Sequence, residues 1–246
     1  MTKELERPGL GQSIWARPER AARGPAPEHS RAEIAAAGVA LADASGIGAV
    51  SMRSAAAAIG TAAASLYRYV ASRDELVQLM ADLVYGEFSF PGNSSGHPVP
   101  DLLELARQSL AIYRRHPWLL DVPATGNLPG PNAVAFIERS LAALAGTDLT
   151  GSARLETVGL FSGVVRLFAQ TEIGQRRAGQ DTARRQESLA QYLVEIAAAG
   201  QHPHLATALT DQAPGEPAAI DPAADESTFD RAMTRILNGL LQPAHP

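Results

Sequence analysis

Cysteine is absent from the 246 residues, which excludes disulfides, thiolate metal sites and cysteine nucleophiles, so any zinc or covalent chemistry would have to use His, Asp, Glu, Ser or Lys. Most redox functions go with it. No apolar run approaches the roughly 20 residues needed to span a bilayer, and the first residues carry charges and prolines where a signal peptide would hold an apolar stretch. A folded protein of the cytoplasm is the expectation, and 46% hydrophobic content is ample for its core. An excess of positive charge is missing too. The net charge is -5, and residues 30–75 balance Arg31, Arg53, Arg68 and Arg73 against Glu33, Asp43, Asp74 and Glu75. Charge alone therefore gives no support for a nucleic-acid partner. Only the placement of a few donors can.

The signatures of catalysis are lacking as well. There is no HExxH, no P-loop and no GxSxG, and Gly46-Ile47-Gly48 joins two helical segments instead of following a strand. No paired Asp motif suggests metal-assisted chemistry, so neither catalytic residues nor a cofactor are expected, and the chain does not read as an enzyme. His202 and His204 flank Pro203 with no third ligand nearby and read as a surface loop, and His97 and His116 are likewise expected to make no metal pair.

What is present is helical period, with strand alternation nowhere convincing and no internal repeat. Residues 1–29 carry Pro, Gly and scattered charges, and Trp15 to Pro27 has no period, which reads as a flexible arm. Ser30 and Glu33 then form a capping box ahead of Ile34, Ala37 and Leu41, starting a first helix that runs to about Asp43. Gly46 and Gly48 end it. Ser51 caps a short second helix through Ile59, Gly60 permits a sharp turn, and a third short helix spans about Ala62 to Tyr69. Ser72 and Glu75 make a second capping box before Leu76, Val77, Met80, Leu83 and Val84. Further helices are expected at about 101–115, 132–145, 153–175 and 228–241. Loops are expected at Phe90–Pro100, at the Pro-rich breaks Pro123–Pro131 and Pro214–Pro222, and at the polar stretch Gln175–Arg185.

Three helices, the last two short and joined through a glycine, have the geometry that lets a recognition helix protrude into a major groove. Ala56 supplies a small residue for close helix crossing, Gly60 tolerates positive φ, and Leu66 anchors the recognition helix from beneath. The run Ile59 to Leu76, with its core Leu66-Tyr67-Arg68-Tyr69-Val70-Ala71-Ser72-Arg73, closely resembles the recognition segment of the TetR family of bacterial repressors. The resemblance covers residues 30–85 and extends more loosely to the end, where His116-Pro117-Trp118-Leu119 and Phe229–Leu241 look like the tetracycline-repressor branch. It implies an all-α chain, with a helix-turn-helix DNA-binding domain over 30–75 and a ligand-binding and dimerisation domain over 76–246.

Carried over position by position, the resemblance makes Tyr67 and Arg73 phosphate contacts, Arg53 a base or phosphate contact, and Thr61, Ser65 and Arg68 recognition-surface residues. The chemistry agrees, because Arg and Tyr donate to phosphate oxygens and Arg also reads guanine. Ala62, Ala63 and Ala64 depart from the family, where polar residues are usual; Ala63 and its neighbours can at best touch a thymine methyl. Arg17, Arg20 and Arg23 are candidates for the minor groove, an uncontacting tail being the alternative.

The 153–175 helix is apolar on several faces, so two burials are needed. One face can line the domain interior and the other a partner subunit, where the amphipathic residues Phe229, Met233, Ile236, Leu237 and Leu240 complete a four-helix interface of a homodimer. A cavity for a small-molecule effector is expected between the 101–115, 132–145 and 153–175 helices, with Tyr113, Trp118, Phe136, Phe161 and Val165 as lining candidates. The polar and metal-coordinating positions with which the tetracycline repressor holds its drug have no match here. The family implies release from a double-stranded operator by linkage, typically about 1–3 kcal/mol of differential affinity, with the helix after Ser72 as the lever. A helical small-molecule-binding adaptor that has lost specific DNA binding is the alternative, made conceivable by the alanine turn.

Overall fold

The computed structural model describes residues 13–17, 28–90, 95–123, 128–178, 180–211 and 226–242, and holds ten α-helices and no strand among them. They fall into two compact units, one drawn from Met1–Ser95 and Ala111–Ala145, the other from Gly96–Leu110 and Gly146–Pro246. The units do not divide at 75/76, because the helix that follows the recognition segment packs back on the first helix and on the one that begins at Pro131.

In the first unit, α1 (Arg31–Ser45) begins at the expected capping box. Ser30 Oγ accepts from the Glu33 amide at 3.1 Å, and the Glu33 carboxylate accepts from the Ser30 amide at 2.7 Å. A 3-10 turn at Ile47–Ala49 leads to α2 (Met52–Ala58), whose cap is a box of two serines, Ser51 and Ser54. Next comes α3 (Ala63–Leu66), shorter than the expected 62–69. Its end tightens into i to i−3 bonds, Arg68 N to Ser65 O at 3.2 Å and Tyr69 N to Leu66 O at 2.9 Å. The fourth helix, α4 (Arg73–Tyr85), has half of the expected box: Ser72 Oγ accepts from the Glu75 amide, but the Glu75 carboxylate turns to the Ala71 amide at 2.8 Å. Ile34, Val50, Leu66, Leu76, Met80 and Trp118 are buried together, each contributing about 1.5–3 kcal/mol by leaving water.

Ser13–Arg17 correct the picture of residues 1–29 as a free arm. Ile14 is 1% exposed in this core and Trp15 packs against it, since two large apolar side chains gain more by burial than a polar tail gains by solvation. Arg20 and Arg23 lie outside the described residues, as does the whole of the Pro214–Pro222 break. Helix α6 (Pro131–Ala143) completes the unit. The Asp82 carboxylate of α4 accepts from the amides of Asn132 at 3.3 Å and Ala133 at 2.9 Å, capping α6 from another helix.

The second unit holds the start of α5 (Pro98–Arg115), then α7 (Gly151–Ala178), α8 (Gln180–Ala198), α9 (Pro203–Thr210) and α10 (Glu226–Leu240). The loop expected at Gln175–Arg185 is helical on both sides of residue 179, because Gln, Arg and Ala favour helix and polarity reports exposure, not irregularity. His202 and His204 belong to α9, as its N-cap and first turn, not to a loop. Arg107 of α5 clasps Asp230 of α10 through the Nε and Nη2 of one guanidinium edge, at 3.0 and 2.6 Å, and this hydrogen-bonded carboxylate raises the guanidinium pKa.

The faces of α7 divide as its composition requires. Phe161, Val165 and Phe168 are buried, with Phe168 edge-on to Phe229 at 5.2 Å, whereas Leu155, Leu160 and Leu167 are exposed by 57, 48 and 61%. Phe229, Met233 and Leu237, expected at a subunit interface, are already buried within their own chain. Helix α10 turns its strongest apolar stripe toward α7.

Candidate nucleic-acid interface

Gly60 sets the geometry of the bihelical segment. At φ +73° its N–H donates to Ala57 O at 3.2 Å, and the Thr61 N–H donates to Ala56 O at 3.0 Å. These are the paired bonds of a Schellman end, in which one left-handed residue reverses the chain and satisfies the last carbonyls of α2. Helix α3 therefore leaves α2 at once. Leu66, wholly buried, seats it on the core, and Ala56 lies beneath in the same cluster.

What remains outward is short and specific. Arg53, Ala62, Ala64, Tyr67 and Arg68 are exposed, and Thr61, Ala63 and Ser65 are half-buried. Tyr67 is 55% exposed, so it has no place in the core. Arg73 has a second engagement. Its Nε donates to Val50 O and its Nη2 to Ile47 O, both at 2.8 Å, bracing the start of α4 against the connection between α1 and α2.

The turn between α3 and α4 is gripped by residues to which the sequence reading gave other roles or none. Arg31 Nε donates to Tyr69 O at 3.2 Å, and Arg17 is ion-paired with Glu75, whose Oε2 also holds the Ala71 amide. Arg17, a minor-groove candidate, is thus committed inside the chain. An apolar pair, Ile14-Trp15, inside an otherwise polar arm was the available signal.

His116 also has partners. Its Nδ1 lies 2.7 Å from Asp43 Oδ1 and its Nε2 2.9 Å from Glu87 Oε1, joining the end of α1 to the segment after α4. Trp118, a lining candidate, is 1% exposed in this core, its ring N–H donated to Asp43. Phe136 packs on Phe88 at 4.6 Å and on Tyr85 at 5.8 Å, and Tyr113 is half-buried in the same unit, while Phe161 and Val165 are fully buried in the other.

Residues 90–243 match the family of tetracyclin repressor-like C-terminal domains. The HTH-type transcriptional repressor DrrR1 of Streptomyces coeruleorubidus is 33% identical over 232 residues, covering 92% of this chain and 83% of the relative. The chain belongs to the TetR family. Among solved structures, the Streptomyces coelicolor TetR family protein ActR in complex with actinorhodin superposes with a TM-score of 0.65 at 25% identity, over 87% of this chain and 98% of that one. ActR in complex with (S)-DNPA gives 0.68 at 24% identity over 87 and 98%, a likeness of fold. As a TetR family member the protein is a ligand-responsive, helix-turn-helix transcriptional repressor. No helix among its described residues is long and apolar enough to cross a membrane.

Proposed function

We propose that the chain acts in the cytoplasm as a homodimer on a palindromic operator, and that an apolar, aromatic small molecule releases it. The reading surface is Arg53, Thr61, Ala63, Ser65, Tyr67 and Arg68, with Arg73 adding a phosphate contact from its braced position. Tyr67 carries the reading: a large aromatic hydroxyl left 55% exposed two residues before a turn held by Arg31 and Glu75 is not accounted for by core packing. Arg53 and Arg68, exposed beside it, supply donors for guanine or phosphate, and the alanines suit thymine methyls.

The exposed pair Leu160 and Leu167, two turns apart on one face of α7, supports the dimer, because nothing of its own unit covers it. A second copy would bring two reading heads to successive major grooves, about 34 Å apart. Phe161 and Val165, one turn apart and both buried on α7, are the apolar effector contacts of the second unit. The aromatic class of effector is supported by ActR, which is seen with actinorhodin.

Enrichment of duplexes from a random library, followed by fluorescence anisotropy at several salt concentrations, tests the reading. A two-fold symmetric site with salt-dependent affinity is expected. Failure to enrich any site would leave the adaptor alternative.

A further inference from the structure

The N-terminal segment Ser13–Arg17 makes contacts at both of its ends that bear on the reading surface. At one end, a single guanidinium joins it to the recognition turn: Arg31 Nη1 donates to Ile14 O at 3.0 Å and Arg17 O at 2.8 Å, while its Nε holds Tyr69 O at 3.2 Å. A second link runs through the Arg17–Glu75 ion pair to the Ala71 amide, 2.8 Å from Glu75 Oε2. The backbone from Tyr69 to Ala71 is therefore held by Arg31 and by Glu75, and the segment engages both of these side chains. Tyr67 lies two residues upstream.

At the other end is Trp15. Its Nε1 donates to Leu128 O at 3.1 Å, in the lead-in to α6. A Cβ on Gly130 would lie 2.6 Å from Trp15 Cζ2 and closer still to the Asp82 carboxylate that caps α6, so indole, carboxylate and lead-in meet at a point where only glycine fits. Ile14, next to Trp15, is buried in the core and anchors the segment there.

We infer that Ser13–Arg17 is an internal brace, with Trp15 and Arg17 as positioning residues, that couples the lead-in of α6 to the turn presenting Tyr67. The inference rests on the reading of that surface as operator-binding. It also assigns Arg17 a task other than the minor groove: an arginine engaged with Glu75 adds nothing to the count of neutralised phosphates.

Two variants of the full chain test this, Arg17→Met and Trp15→Leu, compared with wild type on the enriched duplex at a temperature well below unfolding. Both are expected to lower affinity about fivefold, with the slope of log affinity against log salt unchanged. Hydrogen exchange without DNA supplies a readout independent of the operator. The Ala71 amide should exchange about fivefold faster in both variants, including Trp15→Leu, which leaves every contact of Arg17, Arg31 and Glu75 in place, while α1 amides keep their protection. A salt slope reduced by about one in Arg17→Met would mark a DNA contact and overturn the brace. Unaltered exchange at Ala71 in Trp15→Leu would overturn the coupling. If wild type binds no duplex, the operator reading fails, while the exchange result still decides whether α6 and the turn are linked.

Discussion

Trp118 Nε1 donates to Asp43 Oδ1 at 2.8 Å, a bond between residues 75 positions apart. The same oxygen is 2.7 Å from His116 Nδ1, so one carboxylate at the end of α1 gathers two rings from the turn after α5. The segment that follows α5 is thereby locked to the first helix of the same unit.

Trp118→Phe keeps most of the buried volume and removes the donor. A loss of about 1–3 kcal/mol is expected, and Trp118→Ala should cost about 3–5 kcal/mol through its cavity. Thermal unfolding of the two variants measures both, and equal midpoints for Trp118→Phe and wild type would show the bond to be without weight.

Arg73→Ala removes two bonds from a charged donor to main-chain carbonyls, so it should lower stability by about 1.5–3 kcal/mol even with no DNA present. Arg73→Lys should recover little of this, because an ammonium cannot reproduce the fork. Denaturant melts separate this from a solvated phosphate contact, for which both variants would unfold like wild type.

Gly60→Ala places a Cβ on a residue at φ +73°, costing about 1–2 kcal/mol. Open space surrounds that Cβ, so the penalty is backbone strain alone, and Gly60→Asn should be milder than Gly60→Ala. The order of the two unfolding midpoints checks this.

Tyr67→Ala should leave the unfolding midpoint within about 0.5 kcal/mol of wild type, given its exposure, yet weaken operator binding about tenfold. Anisotropy and calorimetry on one preparation decide, and a large drop in stability would return Tyr67 to the fold.

Leu160→Arg and Leu167→Arg place charges on the uncovered stripe of α7. Together they should shift light-scattering mass toward the monomer and abolish high-affinity binding to the symmetric site while each unit stays folded.

Local signals made the recognition segment legible. The Ser30–Glu33 box, the Gly60 turn and the Leu66 anchor are each decided within a few residues, and each stands where its pattern put it. Long-range pairings were not legible. Nothing near Arg31, Asp82 or Asp43 announces that their partners lie at Tyr69, Asn132 and Trp118, since hydrogen-bonding capacity in a sequence carries no address. Helix α8 was missed for a different reason. Its Leu189, Tyr192 and Val194 are exposed, so burial periodicity, the strongest sign of a helix, is diluted there.

The alanines of α3 have a consequence for redesign. Ala62 and Ala64 are exposed and stop at Cβ, and the Ala62 side chain caps nothing, whereas the framework beneath them rests on Leu66, Gly60, Arg31 and Arg73. On the proposed reading surface, target preference and foldability would thus fall to separate residues. Longer side chains grafted at those blank positions should retarget the protein to new promoters while its melting curve stays where it is.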